Sequence, residues 1–543
     1  MLTYRTHLTA LQHSAAACAL SPALKVPQWS AKGDVFNGWK DVLFSHFLRD
    51  VEQSARYWSH ELAGKGLKER SIIGLWLKGV SYSDIVHIWG VSRAGFVPQL
   101  ISLRLASPSV VRELLGDAGA KALIFDPTVA TSLGDEILSI PAIDFQLMDS
   151  AQFPLPELWV PSEGDEIIMV LHSSGSTSGK PKLVPLTARW LDCNINKAKH
   201  LTFRTPNHRG QEIIQAGGSF CHVASTLCLV AFVDRGGCMV LPTKIPFSSD
   251  ELRDMVKNCG LNILNMFSSF LGDLIQEARQ DPALLATLRA FTACSHGGLP
   301  LEFDDETWAR EQGVTLINLF ASTEIGLIMQ SIGGQGPEAR FLRPFPGTKY
   351  NFTPISNSSG TENGLDGQLL ELVVLSKSPD CPHHTLRDEE TGDFNTGDLF
   401  TEVAPGHYLS KGRNDDWMKM KTSLRCDSRS IEDNAMEVCT EDLISTAVVV
   451  GSGRPSPALF VEPSTKSNHE LFGDYGALRN EIFRRIGPFH ERRYAHERIE
   501  DPQLIIVVPH STLPRTGKGN IQRKKVEMDF REELDRIYST VYP

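Results

Sequence analysis

Four short segments, spread along a 543-residue chain, carry residue types that bind phosphates and nucleotides. They are SSGSTSGKPK at Ser173–Lys182, NLFASTE at Asn318–Glu324, FNTGD at Phe394–Asp398 and GRNDD at Gly412–Asp416; a fifth, PRTGKGNIQRK, begins at Pro514. In the first, Ser173, Ser174, Gly175, Ser176, Thr177, Ser178 and Gly179 combine hydroxyls with backbone N–H groups free to converge on anionic oxygens, and Lys180 and Lys182 add charge. The segment is not a Walker A loop. Only three residues separate Gly175 from Gly179, Pro181 stands where Ser or Thr is required, and Leu183–Pro185 reads as extended. A flexible Ser/Gly linker has the same composition.

The other segments each offer one function and one plain alternative. Phe320 supplies a ring for a purine, Thr323 a hydroxyl for a phosphate oxygen and Glu324 a carboxylate for Mg²⁺; a strand end followed by a helix capped at Ser322 or Thr323 reads equally well. Gly297-Gly298 permit close approach to a flat ring, or a tight turn. Asp398, after Thr396-Gly397, suits a ribose diol or a turn. Arg413 suits the same ribose, a phosphate or solvent, and Lys518 is either a mobile catalytic lysine or part of a soluble loop.

These segments need elements to hold them. Ser71–Leu77 reads as a strand, Tyr82–Arg93 as a helix, Ser107-Pro108 as a cap with proline at the first helical position, and Ala122–Phe125 as the returning strand. Ala290–Ser295, Glu306–Gln312 and Val314–Asn318 repeat a strand–helix–strand pattern. The fold class is therefore α/β, with parallel-rich sheets covered by helices. A boundary near Lys411, after the turn-rich Ala404–His407, separates a large core, residues 1–411, from a small C-terminal α/β lid, residues 412–543.

Composition sets limits. A chain of this length exceeds one core. Its 41% hydrophobic and 22% charged content is that of a globular protein. A net charge of −11 leaves no basic surplus for nucleic acid. The ten cysteines occur singly, without zinc spacing, and Cys221, Cys228, Cys238 and Cys294 read as reduced core residues. The N-terminus is a poor signal peptide and no apolar run reaches the ~20 residues a membrane helix requires. A cytoplasmic protein with no membrane partner is expected.

Taken together, the segments resemble those of the adenylate-forming superfamily of acyl-CoA synthetases, luciferases and peptide-synthetase adenylation domains, from about Thr9 to Tyr538. HSSGSTSGKPKLVP, GVSRAGFVPQLISLRL and GRNDDWMKMKTSLRCDSRSIED resemble the fungal branch, in which such domains head reductases of the carboxylic acid reductase type. The resemblance implies adenylation of a carboxylic acid by ATP with Mg²⁺, then transfer to the thiol of coenzyme A or of a carrier protein's phosphopantetheine. It implies that Ser173–Lys182 hold the β- and γ-phosphates, and that Phe320 and Gly297-Gly298 sandwich adenine with Asn318 at its amino edge. Ala321 and Ser322 complete that motif. Thr323 meets the α-phosphate, Glu324 binds Mg²⁺, and Asp398 and Arg413 hold ribose. Asp415 is the hinge, Lys518 the lid lysine, and His222 the gate of the acid pocket, a core histidine being the plain alternative.

Several positions depart from the family pattern. Phe320-Ala321 replaces Tyr-Gly, the phosphate loop is one residue longer, and Thr422-Ser423 stands where a glycine follows Lys419. Asn520 occupies the strict lysine position, with Lys518 two residues earlier, a register shift found in the fungal branch. Val223 replaces the aspartate that binds an ammonium, which argues against an α-amino acid because a buried ammonium needs a partner. Met266, Phe267, Ser268 and Phe270 suggest an apolar pocket for an aryl or branched acid. No carrier motif follows the last helix, so a freestanding ligase and an excised domain are both open. An amide ligase, and a nucleotide- or acyl-binding homologue without turnover, are the alternative functions.

Overall fold

Apolar runs set the strands, and their period-2 alternation decides which core each side chain enters. The computed structural model describes residues 4–30, 32, 35–102, 105, 107–128, 133, 137–173, 181–201, 210–298, 300–355, 368–413, 417–422, 424–440, 442–464, 475–515 and 521–542. The chain divides into two units. One comprises Met1–Leu103, Leu114–His172 and Leu183–Asn414; the other comprises Arg104–Glu113, Ser173–Lys182 and Asp415–Pro543.

The first unit is built on two sheets. A six-stranded sheet runs in the order Leu138–Pro141, Ala122–Phe125, Ile72–Leu77, Val97–Ser102, Ile167–Ser173, Lys182–Thr187, and the registers of its first five strands are parallel. The second sheet has thirteen strands. Its parallel half joins Pro22–Trp29, Cys238–Val240, Ile213–Gln215, Ile263–Phe267, Ala293–Gly297 and Leu316–Ser322. At Leu316–Ser322 the sheet changes character. Gly326–Ser331, Leu342–Pro344, His407–Arg413, Phe394–Ala404, Leu370–Val374 and Tyr350–Pro354 continue it antiparallel.

Alternation along the parallel strands separates two cores. Ile263, Ala293 and Ile317 enter the core shared with Ile73 and Leu75 of the six-stranded sheet. Leu264, Cys294 and Leu316 face the opposite way, onto residues such as Leu252, Leu271 and Leu284 of covering helices. All ten cysteines are free. Among the described residues no helix is long and apolar enough to cross a membrane.

The second unit pairs Ile444–Val450 antiparallel with Ala458–Pro463, and the latter parallel with Ile505–Val507. Among the described residues, Ser428–Cys439, Tyr475–Glu491, Arg523–Asp529 and Arg531–Val541 are α-helices of this unit, with Ile431, Phe460, Ile482 and Leu534 in the core. The sequence reads Lys525–Tyr538 as one helix, but the structure breaks it at Phe530. That residue leaves helical dihedrals (φ −107°, ψ 20°), and its ring lies 4.9 Å from Phe460.

Three histidines sit deep in these cores. Burial lowers His7, His296 and His490 to about 3, with Arg310 adding to the shift at His296 and Arg493 and Arg498 at His490. A folded-state value below the unfolded 6.5 means that the unfolded chain binds the extra protons. Their stabilisation is complete above pH 6.5 and is lost as pH falls toward 3. Each histidine contributes a slope of up to about 1.4 kcal/mol per pH unit in that window. Thermal melts are expected to show Tm falling from pH 7 to 4.5, and His7→Leu to flatten that dependence. A Tm constant over the window would contradict this.

Candidate active site

The C-terminal ends of the parallel strands are where open α/β sheets place ligands, because neighbouring connections diverge there. A row of half-buried residues occupies those ends: Asn265 and Phe267 on one strand, Gly297 and Gly298 at the next, Asn318 and Phe320 on the third. In register, Phe267 pairs with Gly297 and Gly297 with Leu319. A Cβ at residue 297 would lie 2.7 Å from the Leu319 carbonyl oxygen, so only glycine fits. Gly298 takes φ 93°, which glycine adopts without strain. The Asn318 N–H donates to Ser331 Oγ at 2.8 Å, holding this strand to its antiparallel neighbour.

The NLFASTE segment is a strand running into a hairpin turn. The sequence ends the strand at Asn318 and allows a helix after it, whereas the structure extends the strand through Ser322 and returns it as Gly326–Ser331. The turn closes where Ser322 Oγ accepts the Ile325 N–H at 3.2 Å, which places Thr323 and Glu324 at its tip. Gly326, at φ 78°, lets the chain reverse. Ala321 is exposed and Glu324 is 7% exposed.

A helix that sequence reasoning passed over clamps this turn. Ala188–Ala198 begins immediately after the strand that follows the Ser/Gly segment, with Thr187 as its cap. Trp190 Nε1 donates to the Glu324 carbonyl at 2.9 Å. Asn194 Nδ2 donates to the Ile325 carbonyl at 3.1 Å, while its Oδ1 accepts the Leu327 N–H at 2.9 Å. Lys197 Nζ donates to the Leu327 carbonyl and pairs with buried Asp380 at 2.6 Å. Trp190, Asn194 and Lys197 are spaced i, i+4, i+7, one face of a helix. An Asn and a Lys on the face that is otherwise apolar were the available signal. Asn194→Ala strands one buried donor and one buried acceptor, and is expected to cost about 2–4 kcal/mol of stability, read as a reduced denaturation midpoint. An unchanged midpoint would remove the clamp from the account.

Across the antiparallel half, the Phe320 ring lies 5.2 Å from Phe400 at 74°. Phe400 is two residues beyond Asp398 on the Phe394–Ala404 strand, so the aromatic and the carboxylate belong to one assembly. Asp398 is 2% exposed, and its N–H donates to Thr396 Oγ1 at 3.0 Å. Its register partner is Arg413, which brings the two ribose candidates opposite one another on adjacent strands.

His222 has a second, structural occupation. It is the N-cap of Val223–Asp234, its Nδ1 accepting the Ala224 N–H at 3.3 Å. Its ring is 6.3 Å from Phe267, which is 6.0 Å from Phe270. Burial, then His222, lowers nearby His172 to about 4, so His172 is neutral at neutral pH. Of the four residues expected to form an apolar cluster here, Phe267 lies beside His222, while Phe270 touches Phe267 and also packs against the core of the covering helices. Alternation sends Met266 into that same core, and Ser268 is buried 3.0 Å from His296 Nδ1.

Ser173 ends the strand Ile167–Ser173, and Lys182 is exposed at the start of the next. Ser174, Gly175, Ser176, Thr177, Ser178, Gly179, Lys180, Asp415, Lys518 and the Arg413 side chain lie outside the described residues. Among the described residues no cluster of three or more His, Cys, Asp or Glu could hold a metal ion. A single carboxylate ligand is enough for Mg²⁺, which takes one or two carboxylates together with phosphate and water oxygens.

Comparisons with known proteins identify the family. The AMP-binding enzyme model matches residues 36–352, and the AMP-binding enzyme C-terminal domain model matches 415–542. The AMP-binding domain-containing enzyme iboA of Amanita muscaria is 33% identical over 518 residues, covering 94% of this chain and 98% of that protein. A carboxylic acid reductase of Neurospora crassa is 24% identical over 498 residues, covering 84% of this chain but 43% of the reductase, so the chain spans less than half of that relative. A double mutant of o-succinylbenzoate CoA synthetase from Bacillus subtilis shares the fold, with a TM-score of 0.69 at 16% identity over 96% of this chain and 98% of that one. With a switched α/β sheet, a clamped Thr-Glu turn and both family models matched in order, the chain belongs to the AMP-binding, adenylate-forming enzymes.

Proposed function

We propose that this protein activates a non-amino carboxylic acid as its acyl-adenylate and passes the acyl group to a thiol. The substrate carboxylate attacks the α-phosphorus of ATP, an O–P bond forms, and the bond to the β-phosphate oxygen breaks to release pyrophosphate. A thiolate of coenzyme A or of carrier-bound phosphopantetheine then attacks the acyl carbonyl, and AMP leaves. The work of the protein is to orient these groups and to neutralise developing charge.

Phe320 and the bare Gly297-Gly298 backbone enclose adenine, with Asn318 at its edge. Asp398 and Arg413 take the ribose hydroxyls. Thr323 donates to an α-phosphate oxygen, and Ser173–Lys182 cradle the β- and γ-phosphates. Glu324 holds Mg²⁺, whose contribution is to neutralise phosphate charge. Residues 412–543 act as the lid, turning about Asp415 to bring in Lys518. The observation that carries the reading is the Thr323–Glu324 tip, fixed by Trp190 and Asn194, on the same sheet as buried Asp398. Val223, at the first helical position after His222, offers no charge to an ammonium, which supports a non-amino acid.

The test is pyrophosphate release with ATP and Mg²⁺ across benzoic, cinnamic, aliphatic and α-amino acids, with and without coenzyme A. Release with a non-amino acid, accelerated by coenzyme A, is the expected result. Release unaffected by coenzyme A would direct attention to a carrier or an amine acceptor. Release confined to α-amino acids would overturn the substrate assignment.

A further inference from the structure

The hairpin that carries the Thr323–Glu324 tip is irregular just short of that tip. Phe320 pairs with Met329, but the next pairs are Ala321 with Leu327 and Ser322 with Gly326, so Ile328 is an extra residue in the returning strand. Such a bulge interrupts the ladder and re-aims what lies beyond it. Only these two residue pairs then tie the tip to the sheet, and one of them involves Gly326. The backbone of Leu327 is held from outside the hairpin at both of its groups. Asn194 Oδ1 accepts its N–H at 2.9 Å, and Lys197 Nζ donates to its carbonyl.

A neutral donor would satisfy that carbonyl, whereas a buried ammonium also needs a counter-charge. The Lys197 and Asp380 side chains are 1% and 0% exposed. Three ammonium protons meet three acceptors: the Leu327 carbonyl, Asp380 Oδ2 at 2.6 Å and the Tyr350 hydroxyl at 3.4 Å. Tyr350 donates in turn to Asp380 Oδ2. Ser378 Oγ donates to Oδ1 and accepts the Lys349 N–H at 2.9 Å. Burial, then Asp380, raises the Tyr350 hydroxyl well above its ordinary value, so it remains a donor. Tyr350 opens the edge strand Tyr350–Pro354, and Asp380 follows its antiparallel neighbour Leu370–Val374. Replacing a buried ion pair by apolar side chains of similar volume is often neutral or stabilising, so stability does not account for this one. Direction does. Apolar contact has no preferred direction, while an ammonium held by three acceptors fixes where the carbonyl lies.

We infer that Lys197, oriented by Asp380 and Tyr350, is a positioning residue for adenylation, holding Leu327 so that Thr323 and Glu324 keep the place from which they serve the α-phosphate and Mg²⁺. The inference deepens the adenylation reading and rests on it. The ion pair serves placement of the tip beyond the bulge, where a shift of about 1 Å is worth on the order of 100-fold in rate.

The experiment compares the full chain with Asp380→Asn and with the double variant Lys197→Met/Asp380→Asn. Asp380→Asn alone leaves the ammonium without its counter-charge, and its denaturation midpoint should fall. The double variant removes both charges and should recover the midpoint but not the chemistry. Its kcat for pyrophosphate release is expected to be about 10- to 100-fold lower, with KM for the acid close to the original and a higher Mg²⁺ requirement. Calorimetry should show that it loses most of the gain in ATP affinity that Mg²⁺ brings. A double variant with the original kcat and Mg²⁺ requirement overturns the inference while adenylation stands. So does one whose midpoint stays as low as that of Asp380→Asn, since the pair would then be a stability element. Should the double variant not fold, Tyr350→Phe decides, because it keeps the ion pair and removes one of the three acceptors. A kcat about 3- to 10-fold lower with a raised Mg²⁺ requirement supports the inference, and unchanged values overturn it. No release with any acid by the unaltered enzyme overturns the adenylation reading, and this inference with it.

Discussion

Lys518→Ala is expected to lower acyl-adenylate formation at least about 100-fold, the usual loss when one group that stabilises transferring charge is removed. The assignment follows the PRTGKGNIQRK segment, in which Lys518 precedes Gly519 and Asn520 occupies the strict family position. Lys524 is the control. It is exposed on the helix Arg523–Asp529, and its replacement by alanine should leave pyrophosphate release close to normal. The two variants decide between registers: if Lys524→Ala is the slow enzyme and Lys518→Ala the normal one, the lysine has been placed six residues too early. Both measurements use the full chain with saturating ATP and acid, so that a change in kcat is separated from a change in binding.

Glu324→Gln is the second large effect. The substitution keeps size and removes charge, and a carboxamide is a far weaker ligand for a hard dication. A fall of about 100- to 1,000-fold in adenylation is expected, with a higher Mg²⁺ requirement. The clamp on this residue runs from Trp190 Nε1 to its backbone carbonyl, which the substitution keeps. Titrating Mg²⁺ against rate for both enzymes supplies the check. A variant with the original rate and the original Mg²⁺ dependence would remove Glu324 from the site.

Much of the framework was legible because the signals were local. Tyr82–Arg93 forms the helix its pattern predicts, capped at Ser81 with Asp84 reciprocating. Pro108 opens its helix and Gly119 follows the end of it at φ 70°. Ile72–Leu77 and Ala122–Phe125 are strands as read. What was not legible depends on partners distant in sequence. The antiparallel half of the large sheet is assembled from short strands such as Leu342–Pro344 and His407–Arg413, whose pairing comes from the sheet edge they join. Nothing local in NLFASTE distinguishes a hairpin from a helix start; the Asn194 bonds to Ile325 and Leu327 favour the hairpin. Met266 and Asn265 illustrate the same limit. Composition drew attention to the methionine, while strand alternation sends it to the other core and sets the asparagine on the face of Phe267.

The buried Lys197–Asp380 pair also bears on how the molecule is made. Its members are 183 positions apart, and the Trp190 and Asn194 bonds span 134 and 131. On a ribosome, the helix that carries Lys197 emerges long before its carboxylate is synthesised. Until Asp380 arrives, docking that helix would bury an ammonium without its counter-charge, which costs several kcal/mol. The nascent chain therefore gains little from closing this region early, and the Thr323–Glu324 tip sets only after the antiparallel strands are in place. A chain that stops short of Asp380 would also lack Phe394–Ala404 and His407–Arg413, the strands that join Leu370–Val374 to Leu342–Pro344, and would expose the helix meant to lock the sheet, making it a ready target for chaperones and proteases.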